Sequence, residues 1–173
     1  MRLFVALQLS DEMKAALCAT QREMARRGVR GNYTAEENLH LTLAFIGEYP
    51  DADAVMEALS AVDFAPFDLA LEGLGCFGDL WWEGLSGSDA LSSLATKVRR
   101  ALAESGIPFD RKRFSPHITL IRKASGKLPG IRLRPAAMTV SAFSLMRSDR
   151  GRNGMIYTEL GTVEGTAAKH TEH

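Results

Sequence analysis

Hydrophobic and polar residues follow two periods along this chain, and the switches between them mark its elements. The opening run RLFVALQL, Arg2 to Leu9, is rich in Leu, Val and Phe, as a buried strand would be. A helix follows: Ser10 caps it, Asp11 and Glu12 lie in its first turn, Arg26 and Arg27 in its last, and Gly28 stops it. A strand around His40 comes next, then a helix from about Asp51 to Val62 with Val55, Met56, Leu59 and Val62 on one face. FDLALEGLGCF and DLWWEGL read as adjacent strands joined by a Gly-containing turn. Ser88 then starts an amphipathic helix, with Leu91, Leu94, Val98 and Leu102 spaced three or four apart and Gly106 just past its end. After the basic loop DRKRFSP come a strand around His117 and two last strands, near Ala137 to Met146 and Met155 to Leu160. The tail EGTAAKHTEH, residues 164–173, has no apolar pattern and is expected to fray, leaving residues 1–163 as one domain.

The order of elements repeats. Each half has a strand, a Ser-capped helix closed by Gly, a loop, and a strand bearing His-x-Thr-Leu: NLHLTLAFIGE around His40 and SPHITLIRK around His117. His40 lies 12 residues after Gly28, and His117 lies 11 after Gly106. This is the mark of an internal duplication of a strand-helix-strand unit. Duplicated units tend to pack about a pseudo-twofold axis, which would bring both motifs to one cleft.

Composition narrows the class without naming a function. With 173 residues, 46% apolar and 24% charged, the chain suits an ordinary globular domain able to bury roughly two-thirds of its unfolded surface. The apolar start runs into Asp11 and Glu12 with no cleavage site, no stretch is long enough to span a bilayer, and a cytoplasmic protein is expected. Cys18 and Cys76 show neither CxxC nor metal spacing and read as reduced thiols. The zero net charge hides an asymmetry, since residues 97–152 hold 14 Lys and Arg against three acids. A basic half on a neutral chain suits an anionic ligand, although solvated faces would use the same residues.

In a strand, residues i and i+2 share a face. His40 therefore accompanies Thr42, and His117 accompanies Thr119, while Leu41, Leu43, Ile118 and Leu120 turn to the cores. Two imidazoles across a cleft can serve as acid and base in one turnover, and two hydroxyls can hydrogen-bond an oxyanion. That set suits a phosphodiester. Metal binding fits poorly, because neither motif carries a further ligand at zinc spacing, and no GxSxG or activated Cys supports a covalent nucleophile.

These residues carry a resemblance. LHLTLAFIGE and PHITLIRK are similar to the paired signature of the two-histidine phosphoesterase superfamily. RLFVAL at the start resembles its bacterial RNA 2′,3′-cyclic phosphodiesterase branch, once called 2′-5′ RNA ligases. The resemblance implies an α+β, bilobal, pseudo-twofold LigT-like fold with two antiparallel sheets facing a central cleft and helices outside. It implies hydrolysis of a ribose 2′,3′-cyclic phosphate to a 2′-phosphomonoester with no metal and no cofactor. His40 would be the proton donor to the departing 3′ oxygen and His117 the proton acceptor that activates water, with Thr42 and Thr119 on the phosphate. Near-symmetry leaves the choice of acid and base open to any reading of the residues alone. Arg122 and Tyr33 are candidate substrate contacts: Tyr33 stands where relatives often carry Trp, and Arg122 follows the second motif. Strict alternation sends Arg122 to the opposite face from His117 unless the strand bends. Trp81 and Trp82 cannot both face a core, so one is a candidate stacking surface. Arg147, Arg150 and Arg152 are expected in a loop, RSDRGRNG. RNA ends or small cyclic nucleotides are the expected partners of a monomer. The alternatives are reversible 2′-5′ RNA ligation in the same cleft and a non-catalytic RNA-binding module.

Overall fold

The protein is described by a computed structural model over residues 1–86 and 89–166. Its elements are β1 (Arg2–Gln8), α1 (Asp11–Arg26), β2 (Asn32–Tyr33), β3 (His40–Glu48), α2 (Ala52–Leu59), β4 (Phe67–Phe77), β5 (Leu80–Leu85), α3 (Asp89–Glu104), β6 (Ile118–Arg122), β7 (Ala137–Val140), β8 (Ala142–Gly151) and β9 (Gly154–Glu164). They form two antiparallel sheets, one ordered β3-β1-β8-β9 and the other β2-β6-β5-β4-β7. The α+β architecture expected from the resemblance is the one observed.

Local chemistry sets the helices. Ser10 accepts the Met13 amide at the start of α1, and Gly28 and Gly106, at φ +86° and +70°, take the left-handed backbone that closes α1 and α3. The Ser88 cap lies outside the described residues. α2 is capped by Asp51 and ends at Leu59, earlier than Val62, whose amide closes a turn onto the Leu59 carbonyl.

Each long helix leaves a strand of one sheet and packs against the other sheet. α1 leaves β1, leads to β2, and lies on β6 and β7, where the Gln21 amide donates to the Thr34 and Leu120 carbonyls. α3 links β5 and β6 but lies beside β3 and α2, touching β4 as well, and Arg99 donates to the Leu43 carbonyl. One apolar core consequently runs through both sheets, from Leu3, Val5 and Leu7 to Trp81, Leu120 and Ile121.

Three expectations are corrected. The stretch from Ala137 to Met146 is two strands: β7 pairs with β4, the chain crosses at Ser141, and β8 pairs with β1 and β9 in the other sheet. RSDRGRNG is no loop, because β8 and β9 stay paired to the two-residue turn at Arg152 and Asn153, with Arg147 and Arg150 inside β8. The first residues of the predicted tail are tied down: Glu164 ends β9, and the Gly165 and Thr166 amides donate to the Ser141 and Phe64 carbonyls. Residues 167–173 lie outside the described residues.

Candidate active site

β3 and β6, from different sheets, approach each other, and the two His-x-Thr units lie on or beside them, near enough for His117 to act electrostatically on His40. His40 begins β3 opposite Gln8, and Thr42 stands opposite Ala6. His117 comes one residue before β6, and Thr119 is paired with Trp82. Cross-strand partners share a face, so Gln8, Ala6 and Phe4 surround His40, while Trp82 shares the face of Thr119.

Both imidazoles are pinned in the same way. Nδ1 of His40 donates to the Asn38 carbonyl at 2.7 Å, and Nδ1 of His117 donates to the Ser115 carbonyl, also at 2.7 Å. A carbonyl only accepts, so in each ring Nδ1 carries the proton and Nε2 is the nitrogen left for chemistry. In His40, Nε2 sits 2.9 Å from Thr42 Oγ1 and accepts from that hydroxyl while the ring is neutral. Each ring also packs against a pair of aromatics of its own sheet that touch each other. Phe4 and Tyr157 flank His40 at 5.0 and 5.3 Å between centroids, and Phe77 and Trp82 flank His117 at 5.1 and 6.2 Å.

Burial, the largest influence, pushes the His40 pKa below its ordinary value of 6.5; the Asn38 carbonyl opposes this, and the positive charges of Arg122 and His117 add to it. His40 is thus neutral near pH 7 in the free protein. A bound phosphate reverses the local field, because an anion favours imidazolium. Following the ring protons of His40 by NMR is expected to give a pKa under 6.5 that climbs when inorganic phosphate is added. A value unmoved by saturating phosphate would separate His40 from any anion site.

Arg122 reaches the cleft side through an irregularity that period-two reading cannot see. Trp81 pairs with Ile121 but Trp82 pairs with Thr119, so one step along β5 matches two along β6. The extra residue is a β-bulge, which shifts the alternation. Leu120 and Ile121 are both buried as a result, and Arg122 returns to the face of Thr119, near enough for its charge to weigh on His40. Tyr33 goes the other way. It is paired with buried Ile121, packs on the core, and spends its hydroxyl on the Val29 carbonyl at 2.8 Å. Its ring is therefore part of the packing and is not brought to the histidines. Of the two tryptophans, Trp81 is the core residue at 2% exposure and Trp82 faces the cleft.

The paired motifs and the fold agree with what comparison with known proteins finds: residues 13–152 match the family model of the 2′-5′ RNA ligase superfamily. The chain belongs to this superfamily. A Geobacillus stearothermophilus relative named RNA 2′,3′-cyclic phosphodiesterase is 37% identical over 79% of the chain, a match spanning 48% of that protein's length. An Archaeoglobus fulgidus relative of the same name is 31% identical over 95% of the chain and 100% of its own length. The crystal structure of Escherichia coli LigT in apo form has a TM-score of 0.81 at 29% identity, covering 95% of this chain and 97% of that one. LigT complexed with 3′-AMP gives a TM-score of 0.80 over the same shares.

Sequence reading missed several residues of this superfamily member's cleft. Tyr157 and Phe4 were unassigned, although Phe4 is two residues from Ala6 on the face that holds His40. Beyond them Gln8 and Ser144 donate to Glu159, at 2.9 and 2.7 Å, and hydrogen bonds led by that from Thr162 hold the Glu159 carboxyl below its ordinary pKa. Among the described residues, no group of three or more His, Cys, Asp and Glu stands close enough together to hold a metal ion. No helix among them is long and apolar enough to cross a membrane.

Proposed function

We propose that this protein hydrolyses ribose 2′,3′-cyclic phosphates, at RNA ends or in nucleotides, to 2′-phosphomonoesters by paired histidine acid-base catalysis. The observation that carries this reading is the matched pair of pinned imidazoles, each with Nδ1 held by the carbonyl two residues back, which leaves Nε2, beside the Thr42 hydroxyl in His40, as the nitrogen that exchanges a proton. In-line displacement at phosphorus needs a base behind the attacking water and an acid behind the leaving oxygen. Two histidines on or beside strands that approach each other suit these two positions.

In the proposed cycle Nε2 of neutral His117 accepts a proton from water as the oxygen attacks phosphorus. Nε2–H of protonated His40 gives its proton to O3′ as the P–O3′ bond breaks, leaving the phosphate on O2′. Thr42 and Thr119 hydroxyls donate to the non-bridging oxygens, and Arg122 adds charge beside them. The neutral His40 of the free protein gains its proton with the anionic substrate in place, since the phosphate offsets the influence of Arg122 on that ring. One ring must be charged and the other neutral, so log kcat/KM against pH is expected to be bell-shaped. The acid limb reports the base and the alkaline limb the acid in the simplest assignment. A profile flat from pH 5 to 9 would contradict paired acid-base catalysis.

The test is incubation in EDTA with each nucleoside 2′,3′-cyclic monophosphate and with a short RNA ending in a cyclic phosphate. A 2′-phosphate product, unaffected by EDTA, supports the reading; a 3′-phosphate product or no product sinks it.

A further inference from the structure

The hairpin of β4 and β5 carries an exposed aromatic surface that the acid-base chemistry does not use. Phe77 closes β4, opposite Leu80 across the Gly78–Asp79 turn, and is 47% exposed, unusual for so large an apolar ring. Its centroid lies 5.3 Å from that of Trp82, tilted by 46°, and 5.1 Å from that of His117 at a near-perpendicular 85°. Gly75, Phe77, Leu80 and Trp82 share one face through the pairings Gly75 with Trp82 and Phe77 with Leu80.

The arrangement is seated. Trp82 lies over Gly75 so closely that a Cβ there would come 2.2 to 2.8 Å from three atoms of its six-membered ring. The missing side chain lets the indole lie against β4 and leaves Phe77 supported from below. The indole Nε1 is buried, so the platform offers a ligand ring surface and no donor from Trp82. The exposed ring of Phe77, an apolar face with no hydrogen-bonding edge beside the His117 imidazole, suits a planar heterocycle joined to the reacting phosphorus through one ribose.

Building on the proposed activity, we propose that Phe77, positioned by Trp82, is the stacking surface for the nucleobase of the nucleotide that carries the cyclic phosphate. Stacking accepts every base because each has a π-face, so the surface selects nucleotides over other cyclic phosphates without selecting among A, G, C and U. Phe77 is the contact residue and Trp82 its positioning residue.

The experiment compares the four nucleoside 2′,3′-cyclic monophosphates with the base-free methyl riboside 2,3-cyclic phosphate, for the wild type, Phe77→Ala and Phe77→Trp. The wild type is expected to favour base-bearing substrates in kcat/KM by roughly 5- to 150-fold, carried in KM. Phe77→Ala is expected to erase that preference, lowering kcat/KM far more on base-bearing substrates than on the base-free one, and Phe77→Trp to keep it. Loss of equal size on both substrate types, or no preference in the wild type, overturns the proposal. Binding of adenosine 2′-monophosphate against ribose 2-phosphate, read by tryptophan fluorescence, is followed in parallel. If nothing is hydrolysed, a binding preference for the nucleotide that Phe77→Ala removes keeps this inference and defeats only the cyclic phosphodiesterase reading. Equal binding of the two ligands defeats the inference itself.

Discussion

Replacing His40 or His117 by Ala is expected to lower kcat on an RNA ending in a 2′,3′-cyclic phosphate by about 10²- to 10⁴-fold, with KM changed only a few-fold. The two proton transfers belong to one displacement, so the double variant is expected to be little worse than the poorer single one. If the histidines merely bound the phosphate independently, their losses would multiply and would appear in KM. Rapid-quench kinetics on end-labelled RNA separates these outcomes, and a single variant keeping more than about a tenth of wild-type kcat would remove that histidine from the chemistry. Both rings are only half-buried, so each variant is expected to unfold within about 1 kcal/mol of the wild type. A loss of activity would then not be a loss of fold.

The second large effect concerns stability. Glu83, at 0% exposure, lies on the core side of β5 opposite Ile118, and neither carboxylate oxygen has a hydrogen-bond partner among the described residues. Burial pushes its pKa up to about 7 from 4.5, and the nearby Thr20 hydroxyl of α1, which donates to the Ala16 carbonyl, offsets this only slightly. Between those values the folded state holds a proton that the unfolded chain has released, so stability falls as pH rises from about 4.5 and the full penalty stands above pH 7. The shift corresponds to about 3 kcal/mol. The depressed pKa of His40 acts oppositely, removing stability as pH falls below 6.5. Comparison with Glu83→Gln, which cannot titrate, isolates the carboxyl. Urea unfolding at pH 5 and pH 8 is expected to show Glu83→Gln gaining on the wild type by about that amount between the two. Parallel pH dependence of the two proteins would mean that Glu83 titrates normally and that its burial is relieved in solution.

Both motifs, the helices, the Ser10 cap and the Gly28 and Gly106 stops were legible because each rests on local spacing. What stayed hidden depends on partners distant in sequence. One extra residue in β6 turns Arg122 to the cleft, and nothing in ITLIR marks it, since the irregularity exists only relative to β5. Thr139 and Val140 before Ser141 and Phe143 after it suit a strand, so the crossing between sheets leaves no local signal. Arg147, Arg150 and Arg152 read as loop because frequent charge with Gly and Asn in RSDRGRNG normally means a solvated turn, yet pairing with β9 carries the strand through Gly151. Tyr33 illustrates the limit of borrowing by position: the ring is aromatic as expected, but its strand partner is Ile121, on the core side.

The place of β1 in its sheet bears on the order in which a ribosome delivers this protein. β1 leaves the ribosome first and sits between β3 and β8, with Phe4 opposite Met146, so one of its edges stays open until nearly the whole chain has emerged. The sheet that seats His117 has all its strands once Val140 is out, whereas the sheet that seats His40, made about eighty residues earlier, still awaits β8 and β9. The earlier histidine is thus the later one to gain its complete support. A nascent chain halted before Ala142 holds the strands on which α1 docks, but not β8 and β9, the second of which brings Tyr157 against His40.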